Sequence, residues 1–378
     1  MGRIGVLTPD EARTLARKML ASVAHGSDPA AQRAAERRAA TIAEVAEQFL
    51  REHVEAKRAA ATAASYRDLL ERLAIPEFGK RKAEKITTAE IQRLHIKHGH
   101  SPYAANRLLR VLSSMYSFAA KARLVPDGHN PCRGVEFFPE ESRERYLTTA
   151  ELALIGEALR EGETVGLPYD VDETKAKHAP KEQNRKTTIG PHAAAALRLL
   201  IFTGARLREI LHLKWEYVDF ERGLVLLPTS KTGKKSIVLN APALAVLSGL
   251  PRVGTYVIAG SSAGEKYERP RSDLKKPWKA ISRRAALIGV RIHDLRHTHA
   301  SVGAGAGLGL PIIGKLLGHT QAATTQRYAH LDNDPLRRAS ERIGAQLALA
   351  MGETDQSELG PEKIIHLPKS RVNSPHLL

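Results

Sequence analysis

Apolar residues along the chain recur mostly at three- and four-residue spacing, and short polar signatures mark where each run begins. Thr8-Pro-Asp-Glu11 has the form of a capping box with Pro at the first helical position, and Ala12, Leu15, Ala16, Met19, Leu20 and Val23 follow at helical spacing until Gly26. The polar, Ala- and Arg-rich stretch 27–40 reads as a linker or a loosely packed second helix. Thr41-Ile-Ala-Glu44 opens a helix with Val45, Phe49 and Leu50 inward, and Thr87-Thr-Ala-Glu90 opens a short one. Ser101-Pro102 starts a longer helix whose apolar face is Leu108, Leu112, Met115, Tyr116 and Ala119. Residues 41–125 therefore read as all-helical. Asn130-Pro131, Pro139 and the charged run Glu140 to Arg145 then interrupt the pattern, which places a domain boundary there.

Beyond the boundary, Thr148-Thr-Ala-Glu151 caps a helix carrying Leu152, Ile155 and Leu159. Residues 162–190 lose all periodicity, and acidic and basic side chains balance between Glu163 and Lys186, so the segment reads as a mobile insertion rather than a DNA arm. From Ala193 helical spacing resumes through Leu200 and Ile201 and runs on past Arg206. Gly223–Pro228 and Ser236–Leu239 are short β runs joined by Thr229–Lys235, a hairpin pattern. Several helices follow to about Ala350, and the Pro-containing tail 352–378 reads as disordered. The fold class expected is mainly α with a small antiparallel β-sheet. Its layout is an N-terminal helix and linker over 1–40, a helical domain over 41–138, and an α+β domain over 147–350 with its insertion at 162–190.

At 378 residues the chain has length for two or three domains. Lys and Arg number 58 against 41 Asp and Glu, a net charge of +17, which favours a polyanionic partner: nucleic acid or an anionic membrane surface. No stretch reaches the roughly 20 consecutive apolar residues of a membrane span. Met1–Leu20 carries six charged side chains and so lacks the apolar core of a secretory signal. The single cysteine, Cys132, rules out an intrachain disulfide or a thiolate metal cluster, and the cytoplasm is the expected compartment. The basic run Lys266 to Arg284, with Tyr267 and Trp278 interleaved, lies just upstream of His293-Asp-Leu-Arg296-His297. A charge run is ordinarily a solvated face; its position here favours contact with backbone phosphates.

A phosphate loop, a dinucleotide Gly motif, a Cys metal cluster and a Gly-x-Ser-x-Gly elbow are all missing from the sequence. His293 and His297 stand at i and i+4, but the Glu that a zincin needs after the first His is Asp294, and Arg296 would repel a cation. No metal or other cofactor is therefore expected. The chemistry falls to Arg, His, Lys or Tyr.

Thr203-Gly-Ala-Arg206-Leu-Arg-Glu209-Ile-Leu-His-Leu-Lys-Trp215, Ser230-Lys231-Thr-Gly233, His293-Asp-Leu-Arg296-His297, Leu317-Gly-His319 and Tyr328 occur in that order. Together they resemble the catalytic domain of the tyrosine recombinases, or phage integrases. Residues 41–138 resemble that family's helical core-binding domain, and Glu11-Ala-Arg13 with Gly26-Ser-Asp28-Pro29 resembles the segment after the arm-binding region of integrases from phages and genomic islands. Each motif is short, and their order, with Tyr328 nine residues after His319, makes the match specific.

The resemblance implies site-specific cleavage and rejoining of double-stranded DNA through a 3′-phosphotyrosyl link, integrating or excising a mobile element. Arg206 and Arg296 would hold the nonbridging phosphate oxygens, as two fixed guanidinium forks can. The simpler role for Arg206 is an ion pair with Glu209. Tyr328 would be the nucleophile and Lys231 the general acid for the departing 5′ oxygen, with Lys234 or Lys235 as alternatives in the same turn. His293 would assist proton transfer at the tyrosine hydroxyl, and His319 would hydrogen-bond a nonbridging oxygen. His297 and His299 are assigned structural roles. A homotetramer on paired sites is implied, and an accessory DNA-bending or directionality protein is a further candidate partner. The alternatives are a type IB topoisomerase-like activity and a non-catalytic DNA-binding regulator.

Overall fold

The computed structural model describes residues 8–25, 28–140, 144–170, 181, 184–229, 233–331 and 335–351, and it divides into two compact units, Met1–Arg143 and Glu144–Leu378. The first unit is helical: α1 (Pro9–Ala24), α2 (Pro29–Arg38), α3 (Ile42–Phe49), α4 (Ala60–Leu69), α5 (Ile75–Phe78), α6 (Thr88–Lys97) and α7 (Pro102–Lys121). The stretch 27–40, open between linker and helix in the sequence, thus contains α2. Wider π turns at Leu50–Glu55 and Leu70–Ala74 extend α3 and α4.

The capping boxes form as their spacing requires. Thr8 and Thr41 each accept from the N–H of the Glu three residues on, whose carboxylate accepts in return from the Thr backbone. The apolar stripe of α7 is buried from Leu108 to Ala119 against Phe49, Leu70 and Ile91. Within that core Tyr116 donates its hydroxyl to the Ala83 carbonyl, and burial pushes the Cys132 thiol up to about 12, which leaves it unreactive. Asn106, fully buried on α7, fixes the extended segment that leaves this unit. Its Oδ1 accepts from the Phe138 N–H at 2.9 Å and meets His95 Nε2 at 2.9 Å, while its Nδ2 donates to the Phe138 carbonyl and to Glu140.

The second unit comprises α8 (Thr149–Thr164), β1 (Leu167–Pro168), β2 (Lys186–Thr187), α9 (Pro191–Thr203), α10 (Leu207–Leu211), β3 (Val218–Asp219), β4 (Leu224–Leu227), β5 (Lys235–Val238), α11 (Ala241–Ser248), α12 (Lys275–Arg284), α13 (Asp294–Gly305), α14 (Leu310–Leu317), α15 (Ala323–Gln326) and α16 (Pro335–Met351). Strands β3, β4 and β5 form an antiparallel sheet with Val225 opposite Ile237. Helix α9 is apolar almost all round and lies in the core, where α11 and α13 pack on it.

Three features differ from the sequence reading. The periodicity that ran past Arg206 hides a break: α9 stops at Thr203, Gly204 turns left-handed at φ 62°, and Arg206 caps a new helix. A Cβ on Gly204 would lie 2.7 Å from the His299 ring and 2.9 Å from Leu317, so glycine is required by close approach as well as by φ. The insertion is tied in at both ends, because β1 pairs antiparallel with β2 and Leu167 and Ile189 are buried. Two-residue strands are too short to show alternation; residues 171–180 and 182–183, like the tail 352–378, lie outside the described residues. Trp278 belongs to the core, its indole N–H donating to the Val290 carbonyl, and Arg283 and Arg284 are engaged by Asp170 and Glu161. Lys275, Lys276 and Lys279 remain exposed on α12.

Asn106→Leu would leave the buried His95 ring nitrogen and the Phe138 N–H and C=O without their partner, a loss of about 2 to 4 kcal/mol. Amide exchange of Phe138 and of α7 should then accelerate while the second unit exchanges as before; unchanged protection at Phe138 would contradict this role.

Candidate active site

The break at Gly204 begins the site. With α9 ended there, its last carbonyls lack intrahelical donors, and the same is true at the end of α14, where Gly318 is left-handed at φ 69°. Arg296, on the first turn of α13 and only 4% exposed, satisfies both: Nη1 donates to the Gly204 carbonyl at 2.6 Å and Nη2 to the Leu317 carbonyl at 2.7 Å. Arg206 reaches the next carbonyl, Gly318, at 3.4 Å. Two guanidinium groups are thereby anchored to consecutive peptide groups.

Glu209 holds the opposite side. Its carboxylate accepts from the Arg206 backbone N–H at 2.8 Å, from Arg206 Nη1 at 2.8 Å and from Lys235 Nζ at 2.8 Å. The simple pairing of Arg206 with Glu209 therefore exists. It occupies only part of a five-donor fork. Burial works to raise the Glu209 pKa, but Lys235 and the Arg206 backbone donor hold it below the usual carboxylate value. Lys235, the first residue of β5 and opposite Leu227 at the turn end of the β4–β5 hairpin, has an almost wholly buried side chain; burial lowers its proton affinity, Glu209 opposes that, and the two arginines add to the lowering. Burial and the Arg206 charge likewise lower Arg296, to about 10, which leaves it cationic at neutral pH.

The histidines sit in this positive field. His319 follows Gly318 directly, with Nδ1 2.9 Å from the hydroxyl of buried Thr325. Burial, then Arg296, Arg206 and Lys235, depress its pKa to about 4. His293, at the N-terminal cap of α13, is lowered by burial and by Arg296, and its ring stands edge-on to that of His297 at 5.0 Å between centroids. Tyr328 lies in the turn after α15, 5% exposed among Ala300, Ala304, Ile313 and Leu317. Its hydroxyl oxygen is 2.6 Å from His297 Nδ1. Burial raises the Tyr328 pKa, so the phenol is protonated at neutral pH.

Arg206, Arg296, His293, His319 and Tyr328 are thus gathered in one unit. Lys231 lies outside the described residues, whereas Lys235, named as its alternative, stands between Glu209 and Gly318. The sequence assigns the tyrosine hydroxyl to His293 and a structural role to His297; in the structure the ring nitrogen within hydrogen-bond distance of that hydroxyl belongs to His297. The signal in the sequence is the i, i+4 spacing, which brings the imidazole of the N-cap residue His293 beside that of His297 in the first turns of α13. His299, assigned a structural role from the sequence, has its Nδ1 3.1 Å from the Ile201 carbonyl. Among the described residues no group of three or more His, Cys, Asp or Glu could hold a metal ion, and no helix is long and apolar enough to cross a membrane.

The model of the phage integrase family matches residues 173–334. The chain is 28% identical over 252 residues to tyrosine recombinase XerA of Thermococcus onnurineus, covering 60% of this chain and 87% of that protein. It is 26% identical over 198 residues to the integrase of Salmonella phage P22, 46% of this chain and 51% of that one. The fold matches that of a lambda integrase tetramer bound to a Holliday junction, with a TM-score of 0.57 at 18% identity over 84% of this chain and 89% of that chain.

The depressed histidines make stability pH-dependent with a defined sign. Between the unfolded value near 6.5 and about 4, the unfolded chain binds protons that folded His297 and His319 do not, so stability falls as pH drops through that window. Urea unfolding followed by Trp215 and Trp278, both in the second unit, should show the midpoint falling from pH 6.5 to 4, and His319→Asn should flatten the fall. Parallel profiles for native and variant would contradict the assignment.

Proposed function

Because the chain belongs to the phage integrase family of tyrosine recombinases, we propose that it recombines double-stranded DNA at specific sites, integrating or excising a mobile element. The observation that carries this reading is the pair of guanidiniums on consecutive carbonyls, beside a tyrosine hydroxyl held by an imidazole. Their mutual repulsion is relieved by an anion of the size and charge of a phosphodiester, and fixed donors of this kind stabilise the additional charge of its transition state.

In the cleavage step Tyr328 Oη forms a bond to the scissile phosphorus as the bond from phosphorus to the 5′ oxygen breaks. The products are a 3′-phosphotyrosyl link and a free 5′-hydroxyl. Arg206 and Arg296 hold the nonbridging oxygens, with neutral His319 as a further donor. Lys231 protonates the leaving oxygen; Lys235 is committed to Glu209 and supplies charge. The ester free energy is kept in the protein link, so the reverse attack by a 5′-hydroxyl of another duplex needs no energy source. Exposed Lys275, Lys276 and Lys279 on α12 suit backbone phosphates, which add affinity without sequence information.

Exchange between two duplexes needs several active sites, and we assign a homotetramer. Ile343, Leu347 and Met351 lie exposed at i, i+4 and i+8 on α16, an apolar stripe suited to docking on a neighbouring copy. Val302, Leu308 and Ile312 are exposed on the same unit and offer a complementary apolar surface. An accessory DNA-bending or directionality protein is a further partner in this reading.

The test is a supercoiled plasmid carrying two copies of a site selected by this protein from random duplex DNA. The native chain should exchange the flanking segments, and should do so in excess chelator; Tyr328→Phe should neither exchange nor relax the plasmid. Leu347→Ser should bind a single half-site normally yet lose cooperative filling of paired sites. Relaxation without exchange would support the topoisomerase alternative, and binding with neither reaction the regulator.

A further inference from the structure

We propose that His297 is the general base that takes the phenolic proton from Tyr328 as the tyrosine attacks, and that it returns this proton when the strand is rejoined. The proposal rests on the recombinase reading above and assigns a catalytic role to a residue of the His293–His297 motif to which the resemblance gives only a structural one.

The geometry is direct. His297 Nδ1 and Tyr328 Oη are 2.6 Å apart, with the ring centroids 6.0 Å apart and the rings tilted by 47°, so the hydroxyl is within hydrogen-bond distance of a ring nitrogen. Both groups are fixed by their neighbours. His297 stands on α13 one turn from His293, whose ring packs edge-on against it, and Tyr328 is anchored by its backbone N–H to the Thr325 carbonyl and by apolar packing. With Nδ1 as the acceptor, Nε2 carries the imidazole proton. His293 makes no hydrogen bond to Tyr328; its ring packs edge-on against that of His297 at 5.0 Å between centroids.

The electrostatics supply a switch. The groups acting on His297 are His293, Asp294 and Arg296 from its own helix and its N-terminal cap, Arg327 beside Tyr328, and His319, which is coupled to it. Burial is the largest influence, and with the cations it holds the imidazole to about 4, neutral and ready to accept. In the free protein Tyr328, raised by burial, keeps its proton, so the nucleophile is latent. A phosphodiester bound between Arg206 and Arg296 brings an anion beside these cations, and that anion makes the imidazolium easier to form. Basicity at His297 therefore rises when substrate arrives. The step balances: the phenolic proton passes to Nδ1, Oη bonds to phosphorus, and the 5′ oxygen departs with a proton from the general acid.

The test uses the full chain on a nicked half-site, selected from random duplex DNA by binding to this protein, that releases a short fragment and traps the adduct. In His297→Asn the amide oxygen takes the place of Nδ1 as acceptor, so the tyrosine stays held but has no base. Half-site affinity should stay within about 2-fold of native, since backbone phosphate contacts carry it. Adduct formation at neutral pH should fall about 100-fold or more. The native rate should rise with pH and level off, while the variant rate should keep rising as hydroxide takes over the proton. Added imidazole should partly restore His297→Ala.

A His297→Asn chain that forms the Tyr328 adduct at the native rate and with the native pH profile overturns the proposal while leaving the recombinase reading intact. Faster cleavage by the variant overturns it too, by showing the hydrogen bond to be a restraint. A native chain that forms no adduct, or one that persists in Tyr328→Phe, refutes the underlying reading itself.

Discussion

The C-terminus of α14 is the constraint on which the catalytic unit depends. Gly318 ends that helix in the left-handed conformation, and the carbonyls of Leu317 and Gly318 turn toward two different helices, receiving Arg296 from α13 and Arg206 from the cap of α10. Without carbonyl acceptors and Glu209, two guanidiniums would not remain together in a half-buried place, because their repulsion grows as water is excluded. The acceptors hold the charges where solvent screening is weak, and that arrangement gives an anion-binding centre its strength before any substrate arrives.

The remaining groups take their states from that field. His293, His297 and His319 are all pushed toward neutrality by burial and by the arginines, so at neutral pH they add no charge. Tyr328, whose pKa burial raises above the ordinary phenol value, keeps its proton as well. The resting centre therefore combines permanent guanidinium charge with uncharged imidazoles and a protonated phenol, a combination that suits the proposed reaction at a phosphate anion. Lys235 and Glu209 complete it by fixing the turn end of the β4–β5 hairpin beside the arginines.

Local signals in the sequence carried much of this. Capping boxes at Thr8, Thr41 and Thr148 marked helix starts because the reciprocal hydrogen bonds are satisfied within three residues. The stripe of α7 marked a core face for the same reason of short range. Arg206, Arg296, His293, His319 and Tyr328 were legible through the order of their motifs. What escaped depends on contacts between distant segments. The end of α9 at Gly204 is set by His299 and Leu317, about a hundred residues on, and the helical period runs through it unbroken. Glu209 was visible only as a partner of Arg206, since Lys235 joins it across the hairpin. The part played by His297 required knowing that the turn at Tyr328 folds back onto α13. Trp278 was grouped with a basic run because its neighbours are charged, yet one face of α12 is core.

The central claim is that Tyr328 is the residue that becomes joined to DNA. It is tested most directly by trapping the full native chain on a nicked half-site, digesting the adduct with trypsin and nuclease, and locating the nucleotide by mass. The account predicts a nucleotide on the peptide from Tyr328 to Arg337, attached at the tyrosine through its 3′ phosphate. A nucleotide on any other residue, such as Tyr217, Tyr256 or Tyr267, or linked through a 5′ phosphate, would contradict it.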